Sequence, residues 1–172
     1  KQLLTQAGFP NGIHIELWHS DNESFSRVAQ SIQSYLAEAD IRAKLVQREA
    51  AAMRAAARNG ETDMVLKDWY ADYPDAENFL YPLLHTTNRG LGGNVSFYSN
   101  REFDRLVDQS RIELDSARRV ELYRRADSIA FADAPMAFLF FYNELYAVQP
   151  WVRGFQVPVI FNGQRWVEAE LR

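Results

Sequence analysis

Between Ile13 and Trp69 the hydrophobic pattern changes period four times, and this alternation limits the folds open to the chain. Ile13, Ile15 and Leu17 alternate with polar residues, as one face of a strand does. Phe25, Val28, Ala29, Ile32, Leu36 and Ala39 then recur at helical spacing. Asp21 or Asn22 can cap that helix, and an end is expected near Asp40. Residues 41–47 read as a second strand. Residues 49–59 are alanine-rich and are followed by Gly60, the pattern of a helix with a glycine stop. Residues 63–69 read as a third strand. Strands joined through helices pair in parallel, with right-handed crossovers. The expected class is therefore α/β, a mostly parallel βαβαβ sheet flanked by helices. Ligands of such sheets sit beyond the carboxyl ends of the strands.

The chain has 172 residues, enough for a sizeable core, and 47% apolar with 24% charged content is a globular balance. No run of about 18 apolar residues occurs, so no membrane insertion of this segment is expected. A net charge of −4 argues against a nucleic-acid partner. The lack of cysteine excludes disulfides, thiolate metal sites and a cysteine nucleophile. Lys1 opens the chain inside what reads as a helix ending at Gly8, so the chain is expected to be a fragment of a longer protein.

Past the third strand, residues 76–84 read as a short helix and 85–94 as a polar, glycine-bearing surface loop. Phe103, Leu106 and Val107 mark one helix, and Asp115 caps a longer one with Tyr123, Ala126 and Ala130 inward. Arg118, Arg119, Arg124 and Arg125 are expected on its solvated face. Residues 136–142 form the most apolar strand pattern, a return strand follows over 145–149, and from Pro150 the periodicity is lost.

The stretch Asp68-Trp69-Tyr70-Ala71-Asp72-Tyr73-Pro74-Asp75 packs three aromatics and three carboxylates into eight residues. Pro74 cannot continue a ladder, so a strand ends and a loop begins near Trp69. Such a loop can present aromatic faces and a carboxylate to a cation. The alternative reading is a strand-end turn with solvated acids and its aromatics, Trp69 among them, folded into the core, and Asp75 beside Pro74 reads as a turn former.

Several motifs recur together. They are Leu3-Leu4-Thr5-Gln6-Ala7-Gly8-Phe9-Pro10-Asn11-Gly12, the 69–75 loop with Asn78-Phe79, Asn100-Arg101-Glu102-Phe103-Asp104, and Arg119 with Leu122-Tyr123. Ala134-Pro135 and Trp151-Val152-Arg153-Gly154-Phe155 complete the set. This ordered set resembles the carboxyl-terminal lobe of the family 5 extracellular solute-binding proteins, which serve peptide and nickel ABC importers. The resemblance implies a periplasmic-binding-protein-like type II lobe, one of two around a cleft. Residues 1–149 would form the second lobe with its hinge strands. Residues 150–172, with Trp151, Phe155 and Trp166, would be the return segment that packs on the other lobe. It implies a small solute, expected to be a peptide, delivered to ABC permease membrane subunits. The location would be the periplasm or the extracellular face of the cell membrane, and the intact protein would be a monomer.

The resemblance also places Asp72 against the ligand's free amino group, which the chemistry favours because a desolvated ammonium needs a carboxylate. Trp69 and Tyr73 would wall the site, and Tyr70 and Ala71 would offer backbone groups to an extended peptide. For a ligand carboxylate, Lys67, Arg89 and Arg101 are the candidates. Half a cleft is expected to bind its solute weakly.

Three other readings compete. His14, His19 and His85 are the only histidines, and His14 and His19 face opposite sides of one strand, so no metal site is expected. No nucleophile–base set, G-x-S-x-G, H-E-x-x-H or phosphate loop is present, so neither catalysis nor a cofactor is expected. A ligand-sensing module of a regulator, or a family member that binds nickel complexes or oligosaccharides, is the alternative to peptide import.

Overall fold

The alternating stretch at Ile13–Ser20 is the central strand of a parallel sheet in the computed structural model, which describes residues 1–143, 145–157 and 169–171. The chain divides into two units: Lys1–Asp68 with Arg89–Phe97, and Trp69–Asn88 with Tyr98–Arg172.

The first unit runs α1 (Gln2–Gln6), β1 (Ile13–Ser20), α2 (Glu23–Glu38), β2 (Ile41–Arg48), α3 (Ala50–Arg58) and β3 (Met64–Val65). The strand order is β2-β1-β3, and both neighbours of β1 run parallel to it. In register, Ile15 faces Ala43 and Leu17 faces Leu45. Their shared pleat meets the α2 stripe of Phe25, Val28, Ala29, Ile32 and Leu36 in one core cluster, where Leu17 is 2% exposed. Asn22 is the residue that caps α2, its Oδ1 accepting from the Ser24 and Phe25 amides at 2.8 and 3.3 Å.

Gly12 sets the entry into β1. Its φ is +83°, and a Cβ there would lie 2.1 Å from the Asp40 carbonyl oxygen. That same oxygen accepts the Ile13 amide at 3.1 Å. The start of β1 and the exit of α2 are thus pressed together, and only a residue without a Cβ fits between them.

The third strand is shorter than the expected 63–69. The Asp63 carboxylate, rather than a backbone carbonyl, accepts the Glu16 amide at 2.8 Å. The ladder pairs Leu17 with Met64 and Trp18 with Val65, and the Leu66 amide adds a bond to the Trp18 carbonyl at 2.8 Å. Because β1 ends at Ser20, this register leaves no residue of it to face Asp68 or Trp69. The 85–94 stretch is not simply a surface loop either. It holds two short 3₁₀ turns, and His85, Gly90 and Asn94 are buried.

The second unit contains α4 (Glu77–Leu84), α5 (Arg101–Ile112) and α6 (Ser116–Asp133), followed by the short antiparallel pair β4 (Val152–Arg153) and β5 (Glu170–Leu171). Phe103, Leu106 and Val107 of α5 are fully buried against Leu80 and Leu84 of α4 and Tyr123, Ala126 and Ala130 of α6. Asn100 and Asp115 cap α5 and α6.

Residues 136–149 depart from the expected strand and return: the described residues there form no ladder. A strand is defined by pairing, and apolar composition alone does not supply the ladder. Its large side chains are open to solvent, Phe141 at 95% and Leu145 at 96%. In the tail, Trp151 is half exposed and the Phe155 ring meets Tyr146 at 5.6 Å, while Trp166 lies outside the described residues.

Candidate functional site

All five candidate binding residues, Trp69, Tyr70, Ala71, Asp72 and Tyr73, lie in one loop of the second unit that leads into α4. Three attachments shape it. At its start, the half-buried Trp69 donates its indole Nε1–H to the Asn78 carbonyl at 2.8 Å. At its middle, the Asp72 amide donates to Asn78 Oδ1 at 2.9 Å. At its end, Asp75 accepts from both terminal nitrogens of Arg119, at 2.7 and 2.9 Å.

Asp75 combines two roles. Its Oδ1 also accepts the Glu77 amide at 2.8 Å, which is the turn-forming role expected beside Pro74. The Arg119 guanidinium, first by hydrogen bonding, holds the Asp75 carboxyl below the usual carboxylate range and raises its own pKa in turn. Arg119 reaches further: Nε donates to the Ser110 carbonyl at 3.0 Å and Nη2 to the Tyr123 hydroxyl at 3.1 Å. This corrects the assignment of Arg119 to the solvated face of α6. Helical periodicity places it outward, but a long side chain folds back when a carboxylate and a carbonyl offer acceptors to its five-donor guanidinium. Arg118, Arg124 and Arg125 are exposed, as expected.

Between these anchors the loop presents its functional groups. Asp72 is exposed, and its carboxylate makes no hydrogen bond or ion pair among the described residues. Tyr70 and Tyr73 are 40% and 44% exposed. The Tyr73 phenol donates to the Glu77 carboxylate, which raises the phenol pKa, and Arg111 Nε meets the same carboxylate at 3.1 Å. The arrangement is a held backbone that bears an exposed carboxylate and two partly exposed tyrosines. It can pair with a cation and stack an apolar group, and it contains no base-activated nucleophile.

Asn78, Glu77 and Arg119 are the residues that sequence reasoning missed as parts of this site. Asn78 is 5% exposed, and a buried amide immediately before an apolar helix face is the one signal that could have marked it. The three candidate cations divide between the units. Lys67 and Arg89 belong to the first unit, with Lys67 Nζ donating to the Gly93 carbonyl at 3.3 Å, and Arg101 opens α5 in the second. Crowding lowers the Lys67 pKa, with Arg58 adding repulsion. His14 is exposed and His19 buried. Among the described residues, no three His, Asp or Glu side chains gather as a metal site would need, and no helix is long and apolar enough to cross a membrane.

Comparison with known proteins places this geometry in context. Residues 1–90 match the family model of bacterial extracellular solute-binding proteins, family 5 middle. The chain is 33% identical over 140 residues to heme-binding protein A of Haemophilus influenzae, covering 78% of this chain and 25% of that protein. It is 30% identical over 162 residues to the dipeptide-binding protein of Escherichia coli, covering 91% of this chain and 30% of the relative. The solved structure of Burkholderia pseudomallei OppA superposes with a TM-score of 0.87 at 27% identity, covering 100% of this chain and 34% of that one. The chain thus spans about a quarter to a third of the length of the proteins it matches.

Proposed function

The chain belongs to the family 5 bacterial extracellular solute-binding proteins and has their type II periplasmic-binding-protein fold, and from that premise we propose that it is the second lobe of an ABC-importer binding protein for peptide-like solutes. Residues 1–149 form that lobe and 150–172 the return toward the first. The solute is captured between two lobes, without chemistry, on the periplasmic or extracellular face of the membrane, and the closed form is read by permease subunits. Closure is a two-state motion biased by the ligand's better contacts with the closed form.

The observation that carries this reading is the Asp72 carboxylate, exposed and without a hydrogen-bond or ion-pair partner among the described residues, on a backbone held by Asn78 Oδ1 at 2.9 Å. A peptide's α-ammonium entering a closing, desolvated cleft needs such a group, because an unpaired charge there is very costly. Trp69 and Tyr73 flank it as apolar and cation–π walls, and the Tyr70 and Ala71 backbone is available to pair with an extended ligand. The E. coli relative is a dipeptide-binding protein, which supports the same reading.

Calorimetric titration of the full-length protein tests it. The ligands are a pool of di- to pentapeptides, free and amino-acetylated, with Asp72→Ala beside the wild type. Free peptides are expected to bind, with acetylation or the variant costing at least about tenfold, roughly 1.4 kcal/mol. If neither pool binds, the peptide assignment fails, and nickel complexes and oligosaccharides become the ligands to try.

A further inference from the structure

α4 carries a proline where a helix has a donor. Pro82 lies inside Glu77–Leu84 and has no N–H, so the carbonyl four residues back, that of Asn78, loses its intrahelical partner. That carbonyl is the one that accepts the Trp69 indole N–H at 2.8 Å. The Asn78 side chain meanwhile accepts the Asp72 amide at 2.9 Å. One residue, 5% exposed, therefore holds two loop residues through two different oxygens. The backbone of Asn78 is in turn fixed by its own amide, which donates to the Asp75 carbonyl at 3.1 Å.

We infer that Asn78 and Pro82 are positioning residues for ligand recognition: Pro82 releases a helix carbonyl to orient the Trp69 ring, and Asn78 aims the Asp72 carboxylate by holding its backbone. The inference rests on the reading of Asp72 as the acceptor of the ligand's amine. It explains an otherwise unfavourable residue. Proline is the poorest helix former, and at this position it deletes one ladder bond of a two-turn helix. An alanine here would restore that bond and draw the Asn78 carbonyl away from the indole. Helix stability and ring placement therefore compete for one oxygen.

This competition separates a positioning role from a structural one. In the full-length protein, Pro82→Ala is expected to keep or raise the melting temperature. It should also move the Trp69 Nε1–H resonance, assigned with Trp69→Phe, toward its solvent-exposed position, speed its exchange, and weaken free peptides about fivefold. Asn78→Ala is expected to shrink the preference for free over amino-acetylated peptides about fivefold, and Asn78→Asp, which keeps an Oδ acceptor, to restore it. A purely structural asparagine would lower the melting temperature and leave that preference intact, which would overturn the inference. So would a Pro82→Ala protein with an unchanged Trp69 resonance and unchanged affinity. If the wild type binds neither pool, the amine reading is what fails. The Trp69 resonance then decides the clamp by itself: a shift in Pro82→Ala supports it, and no shift overturns it.

Discussion

Replacing Asp75 by Asn removes a charge and one acceptor at nearly constant shape. The Asn Oδ1 can still accept the Glu77 amide, which Asp75 accepts at 2.8 Å, so the turn survives. What is lost is the second carboxylate oxygen, bonded to Arg119 Nη1 at 2.7 Å, and the charge that strengthens the bond from Nη2 at 2.9 Å. Charge-assisted bonds contribute about 1.5–3 kcal/mol each when buried. Here the two side chains are 26% and 31% exposed, and Arg119 keeps its Ser110 and Tyr123 partners, so about 2 kcal/mol at pH 7 is the expected cost. For a chain of this size that is a fall of roughly 4–8 °C in melting temperature. The pH dependence fixes the cause. Arg119 lowers the Asp75 pKa in the folded state, whereas an unfolded aspartate titrates near 3.9. The pair's contribution is then complete above about pH 4 and is lost as pH falls through the depressed folded value. Urea unfolding of wild type, Asp75→Asn, Arg119→Gln and the double variant between pH 7 and pH 3 measures both effects, because other acids cancel in the differences. The wild-type advantage should shrink below about pH 4. A gap that stays constant with pH, or a coupling free energy under about 0.5 kcal/mol, would refute the reasoning.

Other perturbations have equally definite outcomes. Gly12→Ala puts a Cβ against the Asp40 carbonyl at a φ of +83°, so a loss of at least about 2 kcal/mol is expected in denaturant unfolding, and a loss below about 0.5 kcal/mol would refute the close approach. The Tyr98 phenol donates to Asp133 Oδ2 at 2.6 Å, and burial, with Asp133 adding to it, raises its pKa well above the ordinary value of 10.0. Its stabilisation is therefore complete below about pH 10 and lost as pH rises beyond. Tyr98→Phe should cost about 1 kcal/mol at pH 7 and remove that alkaline decline, both read by melting curves across pH.

Periodicity carried the sheet well. The stripe from Phe25 to Leu36 packs on Ile15 and Leu17, and Phe103, Leu106 and Val107 are as buried as their spacing implies. Two caps were legible too, because Asp115 and Asn22, one of the two candidates for α2, act within three residues of themselves, whereas the Asn100 cap of α5 was not read. What could not be read were partners far along the chain. Arg119 and Asp75 stand 44 residues apart, and the helical period says only that Arg119 avoids the apolar stripe, not which carboxylate it meets. The premature end of β3 follows from a register with β1 that hydrophobicity alone does not determine. The 136–142 run has a strand's composition, but composition cannot supply a neighbour. Of the candidate site, the loop and its entry into α4 were visible in the clustering of aromatics and acids before Pro74. The clamp was hidden, since a buried asparagine and an intrahelical proline look like faults until their geometry is known.

The three attachments of the 69–75 loop also divide labour within it. Trp69, Asp72 and Asp75 are tied by a ring nitrogen, a backbone amide and a carboxylate, and two of these ties end on Asn78. Fixing each backbone residue costs about 1–2 kcal/mol in entropy, and these three ties place that ordering in folding, so a ligand bound as proposed would not have to supply it. The Asp72 tie uses only its main chain, so it survives replacement of the side chain. Tyr70, 40% exposed, carries none of the three. On the proposed function, the loop is thus a constant frame on which the side chain at position 72 can change, and ligand preference with it, while the main-chain tie beneath stays.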